Sequence, residues 1–102
     1  TRGELDQAEA MYKKSLAIEE ALGRQEGMAS DYTNLGILYR IRGELDQAEA
    51  MYKKSLVINE ALGRQESMAK NYTNLVNLYR TRGELDQAEA MYKKSLELLR
   101  SN

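Results

Sequence analysis

The sequence predicts an all-α protein, an α-α superhelix (solenoid) of antiparallel helical hairpins, on three observations. First, the segment 42–56 recurs unchanged at 2–16 and at 82–96, which gives a period of 40 residues. A period of this length is typical of stacked repeat proteins. Second, the 102 residues include no proline, so long windows are free to form helix. Third, the apolar residues within each window recur at helical spacing.

The repeated segment predicts a long amphipathic helix. Its apolar positions form two neighbouring stripes, so the helix should be contacted on more than one side. Gly63 suits a left-handed cap at its C-terminal end. A shorter helix then begins behind Ser67, a good N-cap, and Gly27 is the weaker cap at the equivalent point of the first copy. The two stripes of the central copy are Leu45, Ala48, Tyr52 and Leu56, and Met51, Ile58 and Leu62.

The chain should therefore contain five helices, which we call B when they are long and A when they are short. Glycines mark the breaks between them, Gly3 among them. The predicted order is B-A-B-A-B, with spans of about 4–22, 28–41, 44–62, 68–81 and 84–100. These helices make a single domain over 1–102, divided into a half repeat at 1–24 and full repeats at 25–64 and 65–102.

The composition excludes most classes of active site. The chain contains neither cysteine nor histidine, so it lacks the thiolate nucleophile, the commonest general base and the commonest metal ligand. We expect no enzymatic activity, no catalytic residue, no bound metal and no cofactor. The 15 basic and 16 acidic residues nearly cancel, so no net field recruits nucleic acid or an anionic membrane.

No targeting or membrane-spanning segment is evident in the sequence. No run approaches the roughly 18 apolar residues of a transmembrane helix. The charged N-terminal residues lack the apolar core of a signal peptide. We therefore expect a cytoplasmic protein, although a fragment cut in mid-repeat would have lost any targeting segment that preceded it.

The register of aromatic and small residues resembles the tetratricopeptide repeat. The first full copy has Tyr32-x-x-Leu35-Gly36-x-x-Tyr39, then Gly43 and Ala48-x-x-x-Tyr52, with tyrosine where the motif usually has tryptophan and phenylalanine. The second copy matches, except that Val76 replaces the small residue where the two helices cross closely. The period exceeds the family's usual length of about 34 residues and the closing proline is absent. Helix B is thus extended, as in repeats similar to those of kinesin light chains.

The resemblance implies a scaffold that binds a protein or peptide. In tetratricopeptide arrays helix A lines a concave groove that holds a peptide. A basic residue at position 70, with the arginines of the groove, favours an acidic or C-terminal peptide. Lys70 and Asn74 match part of the carboxylate-binding pattern of chaperone-type domains, and the rest of that pattern is unmatched. The predicted groove residues are Ser30, Thr33, Asn34, Ile37 and Arg40 in one repeat and Lys70, Thr73, Asn74, Asn77 and Arg80 in the next.

A structural interpretation stands beside the functional one. Thr33, Asn34 and their equivalents are poor helix formers in mid-helix, and their side chains could bridge adjacent helices or satisfy backbone groups instead of meeting a ligand. The repeated tyrosines and methionines favour packing between helices over an aromatic or adaptable binding surface. The acidic cluster Glu44, Asp46 and Glu49 lacks the spacing of calcium ligands and suits the helix dipole.

Self-association is the alternative function. Both terminal helices are of type B, so each end should expose an apolar stripe that a neighbouring helix A would cover. Two copies could bury these stripes against each other as a homo-oligomer, or could exchange a hairpin. The near-identity of the copies also suits a designed, consensus or recently duplicated sequence. A nucleic-acid binder of the pentatricopeptide kind is disfavoured, because its groove would have to be strongly basic.

Overall fold

The computed structural model describes residues 1–100, which form five α-helices joined by turns of two or three residues. This confirms the predicted all-α repeat fold and the helix order. The last two residues of the predicted final repeat, 101–102, lie outside the described part. The helices are α1 (Arg2–Leu22), α2 (Gln25–Ile41), α3 (Leu45–Leu62), α4 (Gln65–Thr81) and α5 (Leu85–Arg100), of which α1, α3 and α5 are of type B.

The helices pack in chain order as two hairpins and one leading helix. The most extensive contacts join α2 to α3 and α4 to α5, and smaller contacts join α1 to α2 and α3 to α4. Helix α3 therefore has a helix A on both sides, whereas α1 rests on α2 and α5 rests on α4. None of the helices within residues 1–100 is long and apolar enough to cross a membrane.

Both A helices begin three residues before their predicted starts, at Gln25 and Gln65. The prediction that Ser67 caps α4 is wrong, because Ser67 lies inside the first turn of the helix. Gly63 closes α3 with a φ of 68°, and the next backbone N–H, of Arg64, donates to the Asn59 carbonyl at 3.0 Å. The chain is thereby reversed within two residues, and Arg64 takes the N-cap position without a side-chain cap. Gly27 lies inside α2 in the same way.

The predicted break at Gly3 is also wrong. Gly43 and Gly83 adopt φ values of 80° and 76° and make turns, but Gly3 lies inside α1. In the first copy the segment begins at the second residue of the described chain. Thr1 instead accepts a hydrogen bond from the Glu4 backbone N–H at 3.2 Å and starts the helix there. An identical sequence therefore turns or continues as helix according to what comes before it.

The burial of helix B depends on which neighbours cover it. In α3, with a helix A on both sides, Tyr52 is 0% exposed, whereas the equivalent Tyr92 of α5 is 56% exposed. Met11 of α1 is 64% exposed, although its equivalents Met51 and Met91 are partly buried. The prediction that the tyrosines and methionines pack between helices is therefore wrong for Tyr92 and Met11, because within residues 1–100 no helix A precedes α1 or follows α5.

A repeated cluster of charged and phenolic groups joins the successive hairpins. At the junction of α1 and α2, Glu9 accepts hydrogen bonds from the Tyr39 hydroxyl at 2.8 Å and from the Arg42 guanidinium at 2.7 Å. Arg42 also contacts Asp6, and Lys13 lies 2.9 Å from Glu9. The same contacts recur between α3 and α4, where the participants are Asp46, Glu49, Lys53, Tyr79 and Arg82.

Candidate binding groove

A polar pocket of about 300 Å³ opens between the N-terminal halves of α2 and α4, with α3 as its floor. Four of the ten predicted groove residues line it. They come from both A helices, and the rest of the lining comes from these two helices, from α3 and from the turn that follows α3. The four predicted residues are Ser30, Thr33, Asn34 and Lys70, and the others are Ala29, Ser55, Asn59, Arg64, Ser67 and Asn71.

The charge of this pocket is positive. Arg64 and Lys70 line it, and no lining residue is acidic. The Lys70 side chain is exposed and Arg64 is half-buried. Two cationic groups at the mouth of a polar cavity suit a carboxylate, because charge-assisted hydrogen bonds are stronger than neutral ones.

A chain of hydrogen bonds fixes the floor of the pocket. The Ser55 hydroxyl donates to the Ala29 carbonyl at 2.9 Å. Because that bond uses its single proton, the Thr33 hydroxyl is the donor in the 2.7 Å contact between Thr33 Oγ1 and Ser55 Oγ. The Asn71 amide donates to Ser55 Oγ at 3.1 Å, and the Asn59 amide donates to Asn71 Oδ1 at 2.7 Å. Three helices are thus tied together beneath the pocket.

One acceptor of this network is unsatisfied. Asn59 is 3% exposed, and within residues 1–100 its Oδ1 atom has no hydrogen-bond partner. A buried acceptor without a partner typically destabilises a protein by about 1–3 kcal/mol.

The structure separates the predicted groove residues by role. Thr33 bridges α2 to α3, which matches the structural interpretation of the mid-helix threonines. The Thr73 hydroxyl donates to the Ala69 carbonyl of its own helix at 3.0 Å. The other six predicted residues do not line the pocket. Ile37 and Asn74 are half-buried, and the remaining four are exposed. The six are Ile37, Arg40, Thr73, Asn74, Asn77 and Arg80.

Tyrosines of the A helices are covered by lysines of the B helices. Lys54 Nζ lies 5.5 Å from the centre of the Tyr32 ring, and Lys94 Nζ lies 5.9 Å from that of Tyr72. Contacts of this kind are cation–π interactions. Burial raises the pKa of Tyr32, as does the nearby Glu20, and burial likewise raises the pKa of Tyr72. Both phenols therefore stay protonated and neutral at physiological pH.

Sequence reasoning missed most of the polar residues of the floor, although a signal was present. Residues 1–40 and 41–80 differ at eight positions. Four of these positions in the second copy meet at this one pocket, although they are scattered along the sequence. The four differences are Glu19/Asn59, Gly27/Ser67, Ser30/Lys70 and Asp31/Asn71.

The equivalent place between α1 and α2 carries carboxylates instead of amides. The Ser15 hydroxyl donates to Asp31 Oδ2 at 2.8 Å. The Glu19 side chain lies over Gly27 so closely that a Cβ atom at residue 27 would stand 1.9 Å from Glu19 Oε2. Arg24 approaches the same carboxylate at 3.8 Å. The second junction, not the first, therefore suits an acidic ligand.

Comparison with known proteins places these features in a family. A sequence model described as the tetratricopeptide repeat matches residues 1–61 and 28–101. The crystal structure of BtubC (BKLC) from P. vanneervenii is similar, with a TM-score of 0.87 and 25% sequence identity. The similarity covers 95% of this chain and 41% of that one, so the chain spans less than half the length of BtubC. No curated protein sequence matches.

Proposed function

Because the chain belongs to the tetratricopeptide repeat family, whose repeats mediate protein–protein interactions, we propose that it binds an acidic segment of a partner protein between α2 and α4. The observation that carries the proposal is a polar pocket lined by Arg64 and Lys70 and by no acidic residue. This fold is typical of non-enzymatic scaffolds, and the pocket supplies recognition rather than chemistry.

The mechanism proposed is recognition by a preorganised floor. Ser55, Asn59 and Asn71 are buried and hydrogen-bonded to one another, so their side chains lose little freedom when a ligand arrives. A ligand carboxylate would bind Lys70 and Arg64 at the mouth of the pocket.

An array of acidic peptides, each synthesised with a free and with an amidated carboxyl terminus, tests this proposal. We expect Lys70→Glu and Arg64→Glu to weaken capture tenfold or more, the equivalent of about 1.4 kcal/mol. The melting temperature should change little, because neither charge belongs to the hydrogen-bonded floor. Lys14→Glu, at an exposed position of α1, is the matched control. Equal losses in the control and in the pocket variants would show that net charge, and not this pocket, captures the peptides.

The six predicted residues outside the pocket form a second part of the test. Asn74→Ala and Arg80→Ala should weaken capture only of peptides long enough to leave the pocket and follow α4. If these variants weaken short peptides as much as Lys70→Glu does, the ligand lies along the helix A face and not in the pocket.

Self-association is a second candidate function, supported by the exposed stripes of the two terminal helices. Ile18 and Leu22 of α1 are each 57% exposed, and Leu85 and Leu99 of α5 are 66% and 59% exposed. Apolar patches of this kind commonly mark interaction surfaces. Sedimentation equilibrium over a wide concentration range tests this function independently of peptide capture. A mass that stays monomeric throughout would contradict it.

A further inference from the structure

Helices α1 and α5 carry the same sequence over the part by which α1 contacts α2. Residues 1–16 and 81–96 are identical. The polar contacts of α1 with α2 come from Asp6, Glu9 and Ser15, all inside this segment. Helix α5 therefore repeats this part of the surface by which α1 contacts α2, whereas Glu19, which lies over Gly27, is replaced by Leu99.

The apolar stripe of this surface is largely uncovered in α5, although Ser95, the equivalent of Ser15, is buried. The stripe begins at Leu85 and continues through Tyr92 and Leu96, which are 66%, 56% and 36% exposed. Their equivalents in α1 are all partly buried against the core. Glu89, the equivalent of Glu9, has a side chain that is 72% exposed, whereas that of Glu9 is 21% exposed.

We propose that α5 of one molecule takes the place of α1 on α2 of a second molecule, so that copies join end to end. The proposal rests on the self-association function above and names its interface. Glu89 would accept hydrogen bonds from Tyr39 and Arg42 of the second molecule, as Glu9 does within one molecule. Asp86 would meet the same arginine.

The contacts of α3 show that a helix B accommodates this arrangement. Helix α3 lies between its own hairpin partner α2 and the next helix A, α4. An exchanged α5 would lie in the same way between its own α4 and the second molecule's α2. Beyond the identical segment, Leu99 stands where α1 has Glu19, and it would lie over Gly27, which offers room because it has no side chain.

The short covalent link between α1 and α2 opposes the exchange, so that the extent of exchange depends on how tightly α1 binds. Only Gly23 and Arg24 separate α1 from α2, so the local concentration of α1 at its site is high. The intact protein should therefore keep α1 in place at low concentration. Once α1 is displaced, its former site accepts an α5, and because this contact is head-to-tail the assembly stays open and grows.

The Glu9→Lys variant distinguishes the two helices that compete for the site on α2, namely α1 of the same molecule and α5 of another. It places a lysine of α1 against Arg42 but leaves Glu89 of α5 intact. At one high protein concentration we expect sedimentation equilibrium to show a weight-average mass roughly twice that of the wild type or more, because the tethered competitor is weakened. The double variant Glu9→Lys/Glu89→Lys should return to the wild-type mass. Glu20→Lys makes the same charge change at an exposed position of α1 and should leave the mass unchanged.

A labelled peptide of residues 81–100 provides a second measurement that does not depend on assembly. It should bind the Glu9→Lys protein roughly tenfold more tightly than it binds the wild type, because the site on α2 is freed. The peptide carrying the Glu89→Lys change should not bind. If Glu9→Lys has the wild-type mass and takes up no peptide, the exchange is wrong. If all variants associate equally, self-association stands but this interface does not.

Discussion

The ring of Tyr52 lies against the backbone of Gly36, so that a Cβ atom at residue 36 would stand 2.6 Å from the ring atoms Cδ1 and Cε1. Helices α2 and α3 cross closely here because residue 36 has no side chain, and Tyr52 is fully buried. In the next repeat Val76 occupies the equivalent position and Tyr92 is largely exposed. The missing side chain and the covering helix α4 together account for the burial of Tyr52.

Gly36→Ala should therefore lower the free energy of unfolding, by about 1–3 kcal/mol, because a ring held on all sides cannot move away from the added methyl group. Urea denaturation followed by circular dichroism measures the change. Gly3→Ala is the matched control, since Gly3 is also helical and an added Cβ would meet only Thr1 Oγ1, at 3.9 Å. The control should be neutral or stabilising by up to about 1 kcal/mol. A similar loss in both variants would show that the Tyr52 contact is unimportant.

Gly27 and Glu19 should behave as a coupled pair. Gly27→Ser alone should destabilise the protein, because the new side chain meets the Glu19 carboxylate. Adding Glu19→Asn reproduces the pair Ser67 and Asn59 of the second junction and should recover most of the loss. For residues in direct contact the interaction energy from a double-mutant cycle is typically about 0.5–3 kcal/mol. If the two changes are additive in thermal or urea unfolding, the copies differ at these positions independently.

The buried amides beneath the pocket should make a large contribution to stability. Asn71→Ala removes the partner of the Asn59 amide and one donor to Ser55, which leaves buried polar groups unpaired. We expect a loss of about 1–3 kcal/mol in the free energy of unfolding. Asn77→Ala, at an exposed position of the same helix, should change it by less than about 0.5 kcal/mol. Equal effects at the two positions would contradict a structural role for the amide network.

The glutamates that join the hairpins should make stability dependent on acid pH. Burial raises the pKa of Glu49, but hydrogen bonds from Tyr79, Arg82 and Lys53 outweigh it and lower the pKa to about 2. Since the ordinary value is 4.5, the unfolded state binds a proton more readily than the folded state. The stabilisation is fully present above about pH 4.5 and is lost as the pH falls toward 2.

Glu49→Gln should therefore lower stability at pH 7, by about 1–3 kcal/mol, and should flatten its decline between pH 4.5 and 2. Glu9→Gln should do the same, because hydrogen bonds from Lys13, Arg42 and Tyr39 lower the pKa of Glu9 to about 2. Urea denaturation at several pH values measures both effects. Glu20→Gln serves as the exposed control. If the stability of the two variants falls as steeply with pH as that of the wild type, groups other than Glu9 and Glu49 cause the acid sensitivity.

The helices could be predicted from the sequence because each carries its own spacing of apolar residues, and a left-handed glycine such as Gly23 or Gly63 follows each of the first four within two residues. The starts of the two A helices could not, because α4 begins after Arg64 through backbone hydrogen bonds, without a capping side chain. Four residues that line the pocket were named from the phase of helix A in the repeat motif. The floor was not, because Ser55, Asn59 and Asn71 lie on different helices and become neighbours only after folding.

By itself the sequence determined the local elements, the order of the repeats and the kind of surface they present, because these follow from periodicity and composition within one segment. Only the tertiary structure decided whether identical residues are buried or exposed, and whether they are helical or lie in a turn. Tyr52 is buried and Tyr92 exposed, and Gly3 is helical while Gly43 turns. The physical reason is that burial, hydrogen bonding and helix continuation depend on the neighbouring helix, and the same segment has different neighbours at the start, the middle and the end of the stack.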